Sequence, residues 1–218
     1  MERNKLVNRI INGDALEVLK EFPSNFIDCV VTSPPYWLLR DYGIGPVIWD
    51  GDPNCSHKFN TVHRLHSPQG NQGQAMNNHP NGQSNFCLNC GAWRGQLGLE
   101  PTLDLYIKHL CNIFDEIYRV LKDTGSCWVN LGDTYTGNVG KRNGWTDEKG
   151  IYLTNKTEII HQLPQKCLAG IPFRFAIEMV NRGWILRNTL IWHKPNCLPS
   201  SAKDRFTVDF EYLFFFVK

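Results

Sequence analysis

Residues 28–37, DCVVTSPPYW, join an apolar run to a turn that contains two adjacent prolines. The continuous apolar run over residues 27–32 is bounded by turn residues, which predicts a fully buried parallel strand. Proline has no N–H group to donate to a sheet, so the prolines place the end of the strand at this point. Because α/β sheets bind ligands at the carboxyl ends of their strands, residues 33–36 are the first candidates for a functional site.

Outward from this strand, helical and extended patterns alternate along the chain. The pattern predicts a strand over 9–14 and a helix over 15–22, followed later by a helix that opens at residue 100 with Thr102 as its cap and ends at 123–125. Further predicted elements are a strand over 126–131, a helix over 172–181, and strands over 190–193 and 212–217. This alternation predicts an α/β fold with a doubly wound sheet.

The length and composition fit one substantial hydrophobic core, or one core with a second, smaller core. The chain has 218 residues, is 42% hydrophobic and carries a formal net charge of +2, which neither demands nor excludes a nucleic acid partner. No apolar run reaches the ~18 residues of a membrane span, and the start of the chain lacks the apolar core of a signal peptide. We therefore expect a cytoplasmic protein that does not bind a membrane.

Residues 42–98 differ from the rest of the chain, because Gly, Asn, Gln, His and Pro dominate and apolar periodicity disappears. We interpret them as an insertion into a main region formed by residues 1–41 and 99–218. In a reducing compartment clustered Cys and His favour metal binding, so we predict that a structural zinc ion pins the insertion. The predicted ligands are Cys55, His57, Cys87 and Cys90. Rival ligands are His63, His66 and His79, and four unrelated residues in a polar loop are the alternative.

The Ser-Pro-Pro-Tyr turn has the chemistry of a site for an amine on an aromatic ring. Its prolines offer carbonyl acceptors without competing N–H donors, Ser33 adds a side-chain acceptor, and Tyr36 adds a flat apolar face. Two acceptors on an exocyclic NH₂ group would draw its nitrogen toward tetrahedral geometry and free its lone pair. A nucleobase turned out of a duplex and held in line with a methyl donor fits this arrangement.

This turn resembles the catalytic motif of the S-adenosylmethionine-dependent DNA amino-methyltransferases, which carry Ser, Asp or Asn before Pro-Pro-Tyr or Pro-Pro-Phe. Residues 11–14 also look like the segment that opens the family's β-class arrangement. Residues 129–135, 171–175 and 192–196 are similar to its later segments in order. The resemblance covers almost the whole chain.

The resemblance implies roles for individual residues. Ser33, Pro34, Pro35 and Tyr36 would be catalytic, and Asp14, Thr32 and Ser33 would face the cofactor. Tyr36, Trp37 and Arg40 would contact the DNA substrate. In this family Ser before the prolines tends to accompany cytosine-N4 methylation and Asp adenine-N6 methylation, so Ser33 favours cytosine N4, with adenine N6 as the alternative.

One family segment is absent from the sequence. The family's Asp/Glu-Pro-Phe-x-Gly-x-Gly cofactor motif should follow the last strand, and neither residues 43–45 nor 95–98 stand where a glycine-rich cofactor turn belongs. We therefore expect an incomplete chain that on its own binds S-adenosylmethionine weakly or not at all, with a complementary C-terminal segment as one expected partner.

The resemblance also implies partners and a setting. A homodimer and a restriction endonuclease partner are expectations of this kind, in a bacterial or phage-infected cell. The alternative of another class is a non-catalytic, zinc-stabilised DNA-binding fragment, which the missing motif keeps open. For a zinc nuclease, a third class, we find no supporting set of carboxylate and His ligands.

Overall fold

The computed structural model describes residues 6–61, 83–136, 163–164 and 166–218. In these residues the helices are α1 (Ala15–Lys20), α2 (Leu103–Val120) and α3 (Ile171–Asn181). The strands are β1 (Ile27–Thr32), β2 (Val47–Trp49), β3 (Phe59–Thr61), β4 (Gln83–Cys87), β5 (Trp93–Gly95), β6 (Leu121–Leu131), β7 (Ile185–His193) and β8 (Phe210–Val217). The chain divides into a main unit, Met1–Arg40 with Leu97–Lys218, and a second unit, Asp41–Gln96.

The main unit contains a four-stranded mixed sheet in the order β1-β6-β8-β7. Strand β1 runs parallel to β6, whereas β8 is antiparallel to both β6 and β7. The α/β class predicted from the sequence is thus confirmed. The sheet is less regular than predicted, since β1 and β6 are the parallel pair among the described strands.

The core of the main unit lies between this sheet and helices α2 and α3. Helix α2 begins where predicted, because the Oγ1 atom of Thr102 accepts the N–H of Leu105 at 3.2 Å. Phe175 of α3 is fully buried, with its ring centroid 5.0 Å from that of Phe114 and 6.0 Å from that of Phe216. These rings join both helices to β8, so aromatic packing fixes the sheet that carries the site.

Three predictions about local structure in the main unit are wrong. Residues 9–14 form no strand, because a strand needs a partner for its backbone groups and no described strand pairs with them. Residues 123–125 do not end α2, which stops at Val120, but form an irregular part of β6. Strand β1 is not fully buried, since it lies at a sheet edge and Val31 is 75% exposed.

The second unit has regular structure that the sequence did not reveal. Its four short strands form a separate sheet in the order β2-β5-β4-β3, with antiparallel pairs throughout. Trp49 pairs with Trp93 across β2 and β5, and both side chains are buried. Strands of three to five residues are too short to show an apolar period, which is why these residues look like a loop.

None of the helices within the described ranges combines the length and the apolar composition that crossing a membrane requires.

Candidate active site

The polar end of the sheet brings Ser33 and Asn130 together. Strands β1 and β6 are parallel neighbours, and Thr32 pairs with Val129, so the residues that follow reach the same edge of the sheet. The hydroxyl of Ser33 donates to Oδ1 of Asn130 at 3.3 Å. That bond directs the hydroxyl hydrogen toward Asn130 and leaves the oxygen lone pairs of the exposed Ser33 able to accept from a ligand.

Tyr36 is held in the same cluster by its hydroxyl group. Its single proton has two acceptors, Oδ1 of Asn130 at 3.1 Å and Oε2 of Glu211 at 3.2 Å. Burial raises the pKa of the Tyr36 phenol; a hydrogen bond with Ser33 opposes this, but the negative charge of Glu211 adds to the rise, and the net shift is upward. The phenol therefore remains protonated at neutral pH and keeps its role as a donor.

Glu211 connects this cluster to Lys194. Burial alone would raise the pKa of Glu211, but the hydrogen bond and positive charge of Lys194 and the side chain of Asn130 hold it below its usual range. Glu211 is thus a carboxylate at neutral pH and an acceptor for Tyr36. The amide of Asn130 also donates to the carbonyl of Tyr212 at 3.1 Å, which fixes its orientation.

A side chain of helix α2 anchors the Ser-Pro-Pro-Tyr turn. The hydroxyl of Tyr106 donates to the carbonyl of Pro35 at 2.8 Å, and Tyr106 is fully buried. The second proline carbonyl of the turn, that of Pro34, accepts no hydrogen bond from the residues that the structure describes. One proline carbonyl thus supports the turn, and that of Pro34, a buried residue, has no hydrogen-bond donor among the described residues.

The residues after the turn are fixed by the segment that precedes α2. The indole N–H of Trp37 donates to the carbonyl of Glu100 at 3.0 Å, and the N–H of Leu38 donates to the carbonyl of Gly98 at 2.7 Å. Leu38 has a φ of 56°, a left-handed conformation that costs a non-glycine residue about 1–3 kcal/mol. The two hydrogen bonds offset this strain and hold the turn in one conformation.

The structure also places the other residues that the resemblance implies. Asp14 caps α1, where its Oδ1 accepts the N–H groups of Leu16 and Glu17 at 3.0 and 3.2 Å. Thr32 ends β1 beside the site, and Arg40 is exposed. Trp37 is only 4% exposed, so it packs beneath the turn. Contacts of these residues with cofactor or DNA stay predictions.

Sequence reasoning missed Asn130, Glu211 and Tyr106 as parts of the site. Asn130 had a local signal, because it is a polar residue within an apolar strand and alternates with buried Val129 and Leu131. Glu211 and Tyr106 had no such signal, since Glu211 lies within an aromatic strand and Tyr106 on the apolar face of a helix. Their proximity to Tyr36 depends on the order of strands in the sheet.

Asp133, next to the site, fastens the start of α3. Its carboxylate accepts the N–H groups of Gly170 at 3.0 Å and Ile171 at 3.1 Å, and so satisfies backbone N–H groups that have no partner within the first turn of a helix.

We expect Asp133→Ala to lower the free energy of unfolding by about 1–2 kcal/mol, because these hydrogen bonds are lost. Urea denaturation would measure this, with exposed Asp104→Ala as the control; an unchanged midpoint would show that these bonds add nothing.

The predicted metal ligands come together in the second unit. Cys55, His57, Cys87 and Cys90 place one ligand atom each within 4.8 Å of all the others. The rival ligands His63, His66 and His79 lie outside the described residues.

Comparison with known proteins agrees with the motif. The chain is 35% identical to the type II methyltransferase M.SmaI of Serratia marcescens over 222 residues, covering 100% of this chain and 58% of the relative. It is 34% identical to the type II methyltransferase M.Cfr9I of Citrobacter freundii, covering 96% of this chain and 54% of the relative. The chain thus spans little more than half the length of these curated relatives.

Solved structures give a weaker match. The PvuII DNA methyltransferase (cytosine-N4-specific) is 18% identical, with a TM-score of 0.49 over 94% of this chain and 47% of that one. The decisive finding is a family model described as DNA methylase, which matches residues 27–218 and so includes the turn, both core helices and the whole mixed sheet. The chain belongs to this DNA methylase family.

Proposed function

We propose that this chain carries the base-binding and methyl-transfer site of a DNA amino-methyltransferase that acts on the exocyclic amine of a flipped base. The observation that carries the proposal is the anchored turn, in which Tyr36 and exposed Ser33 both bond Asn130 while Tyr106 holds the Pro35 carbonyl. Membership of the DNA methylase family and identity of about one third to type II methyltransferases support it.

The turn would act on the amine through two acceptors. The Ser33 oxygen would accept one N–H and the Pro34 carbonyl the other, while Tyr36 would stack against the ring that carries the amine. The hydroxyl proton of Ser33 is directed to Asn130, so the oxygen of Ser33 can still accept from the amine. The Pro35 carbonyl, which Tyr106 binds, is not one of the two proposed acceptors. Fixed acceptors that need no reorganisation are an effective means of catalysis.

S-adenosylmethionine, when bound, would supply an electrophilic methyl group. The residues at the carboxyl end of β1 fit its presence there, since Thr32 and exposed Ser33 border the turn. Asp14 would have to use its second carboxylate oxygen, because Oδ1 already caps α1. The chain's own residues would orient the amine and hold the ring.

Cytosine N4 is the proposed target, because the residue before the prolines is Ser33, and adenine N6 is the alternative. We assign the main unit to a Rossmann-like, doubly wound methyltransferase sheet. DNA is the substrate that the family implies. A homodimer and a restriction endonuclease remain predicted partners, and a bacterial or phage-infected cytoplasm remains the predicted setting.

Methylation of DNA by matched variants tests this function. The chain would be assayed alone and as a chimaera in which it replaces the matching segment of M.SmaI, with labelled S-adenosylmethionine and unmethylated DNA, followed by nucleoside mass spectrometry. We expect N4-methylcytosine from the chimaera and about a tenfold lower rate for Ser33→Ala, the value of one hydrogen bond. Ser24→Ala is the control, because Ser24 precedes β1 and the turn follows the other end of that strand.

Each other outcome has a definite meaning. Labelled N6-methyladenine would retain the transferase and refute the choice of cytosine. A chimaera that folds, binds DNA and yields no label would refute the proposed transfer site and favour a non-catalytic DNA-binding fragment.

A further inference from the structure

The Cys/His cluster belongs to the second unit and shares no residue with the candidate active site. Cys55 and His57 come from the segment between β2 and β3, and Cys87 and Cys90 from the end of β4 and the turn that follows. The Sγ atoms of Cys55 and Cys87 are 3.9 Å apart, and Sγ of Cys90 is 3.4 Å from Nδ1 of His57. All three cysteines are free thiols.

These separations are those of a tetrahedral zinc site. With Zn–S bonds of about 2.3 Å and Zn–N bonds of about 2.0–2.1 Å, tetrahedral angles place two sulfurs about 3.8 Å apart and a sulfur and a nitrogen about 3.5 Å apart. A disulfide would require about 2.05 Å between the sulfurs. Three thiols and one imidazole nitrogen within 4.8 Å of one another form a closed four-ligand set.

The turn that carries Cys87 and Cys90 has the backbone of a metal-binding loop. The N–H of Gly91 donates to the carbonyl of Cys87 at 2.9 Å, and the N–H of Cys87 donates to the carbonyl of Ala92 at 2.8 Å. Gly91 has a φ of 75°, which glycine adopts without strain. The turn thus directs both sulfurs to the same side.

Backbone donors also point at the sulfur of Cys87. The N–H groups of Lys58 and Asn89 each lie 3.4 Å from this Sγ atom. Such donors favour a thiolate, which is the form of cysteine that binds a metal. A buried thiol in an apolar core would gain nothing from two amide donors.

The two ligand segments are already joined by hydrogen bonds. The N–H of Leu88 donates to the carbonyl of Lys58 at 2.8 Å, and the side-chain amide of Asn89 donates to the carbonyl of Ser56 at 2.8 Å. The buried apolar side chains of the unit's described part are few: Trp49, Cys87, Ala92 and Trp93. A unit of this size with so small a core generally requires a metal or a disulfide to be stable.

We propose that Cys55, His57, Cys87 and Cys90 bind one zinc ion that stabilises the fold of the second unit. Four protein ligands leave no open position, so the site is structural and takes no part in the transfer reaction. Soft thiolates with one imidazole favour zinc over hard cations such as Mg²⁺ or Ca²⁺.

Metal analysis of matched variants tests the proposal. The full chain, expressed with added zinc and desalted, is expected to contain about one zinc per molecule by inductively coupled plasma mass spectrometry. Cys197→Ser, in the main unit, should keep this content, and Cys90→Ser should lose most of it. Less than about one fifth of an equivalent of zinc in the wild-type chain, or stoichiometric iron in its place, would overturn the proposal.

Two further measurements keep the test decisive if Cys90→Ser does not fold. His57→Cys retains four ligands and should keep the zinc, whereas His57→Ala should lose it; equal zinc in both variants would refute the assigned nitrogen ligand. In the wild-type chain, Cys55 and Cys90 should resist alkylation until a chelator is added, while exposed Cys29 should react throughout. Equal alkylation of these cysteines before chelation would contradict a metal-bound cluster.

Discussion

The Glu100→Ala substitution is expected to lower the free energy of unfolding of the main unit by about 3–5 kcal/mol, because it breaks a fully buried polar pair. Glu100 and His109 are both 0% exposed, with Oε1 of Glu100 3.1 Å from Nδ1 of His109. The other oxygen, Oε2, accepts the N–H of Gly98 at 2.8 Å. Alanine removes both acceptors and leaves a void beneath the turn.

The consequences should reach the candidate site. The Glu100 and Gly98 carbonyls bind Trp37 and Leu38, so a shift of this segment removes the support of the residues after Tyr36. We therefore expect lower methyl transfer in the chimaera at temperatures where Glu100→Ala is still folded.

Urea denaturation of the chain would measure the loss of stability. Glu17→Ala is the matched control, because this Glu is 69% exposed on its side chain and its pair with Lys20 should contribute less than about 0.5 kcal/mol. If Glu100→Ala and Glu17→Ala unfold at the same urea concentration, the buried pair is not a source of stability.

The elements that sequence could predict are those with a strong local signal. Helices α2 and α3 have apolar residues at helical spacing, and Thr102 caps α2 as expected. The prolines predict the end of β1, which the structure places at Thr32. By contrast, Ile10 and Ile11 suggested a strand, yet Ile10 is fully exposed, because apolar residues form a strand only when a neighbouring strand accepts their backbone.

The candidate site could be predicted only in part, for the same reason. The Ser-Pro-Pro-Tyr turn is a local motif, but Asn130 is 94 residues from Tyr36 and Glu211 is 175 residues from it. Glu100 was predicted only to open a helix, and nothing in its neighbours indicates that it would be buried beside His109. The metal ligands could be predicted because Cys and His are the residue types that bind zinc. That their side chains come together, however, depends on the sheet of the second unit.

The Gly132→Ala substitution is expected to reduce methyl transfer about 100-fold by moving the ring of Tyr36, since a displacement of ~1 Å at a reacting group costs about this factor. A Cβ atom on Gly132 would lie 2.4 Å from Cε2 and 2.9 Å from Cδ2 of Tyr36. Carbon atoms at optimal separation are about 3.5–4.0 Å apart, so one side must move by more than about 1 Å.

The ring has little freedom to move without losing its contacts. Its hydroxyl is bound by Asn130 and Glu211, and the preceding Pro35 carbonyl is bound by Tyr106. Overpacking of this kind should also cost about 1–3 kcal/mol of stability. Gly45→Ala is the matched control, since a Cβ there meets no atom within 4 Å.

The methylation assay of the chimaera would measure the loss of methyl transfer. The Tyr36→Phe variant would separate the effect of the ring's position from that of its hydroxyl hydrogen bonds. Phenylalanine keeps the ring for stacking but loses the hydrogen bonds that fix it, so its loss should be smaller than that of Gly132→Ala. If Gly132→Ala retains activity within about threefold of the parent, the position of the Tyr36 ring does not limit the reaction. If Tyr36→Phe is the more damaging change, the hydroxyl bonds to Asn130 and Glu211 matter more than the space that Gly132 leaves for the ring.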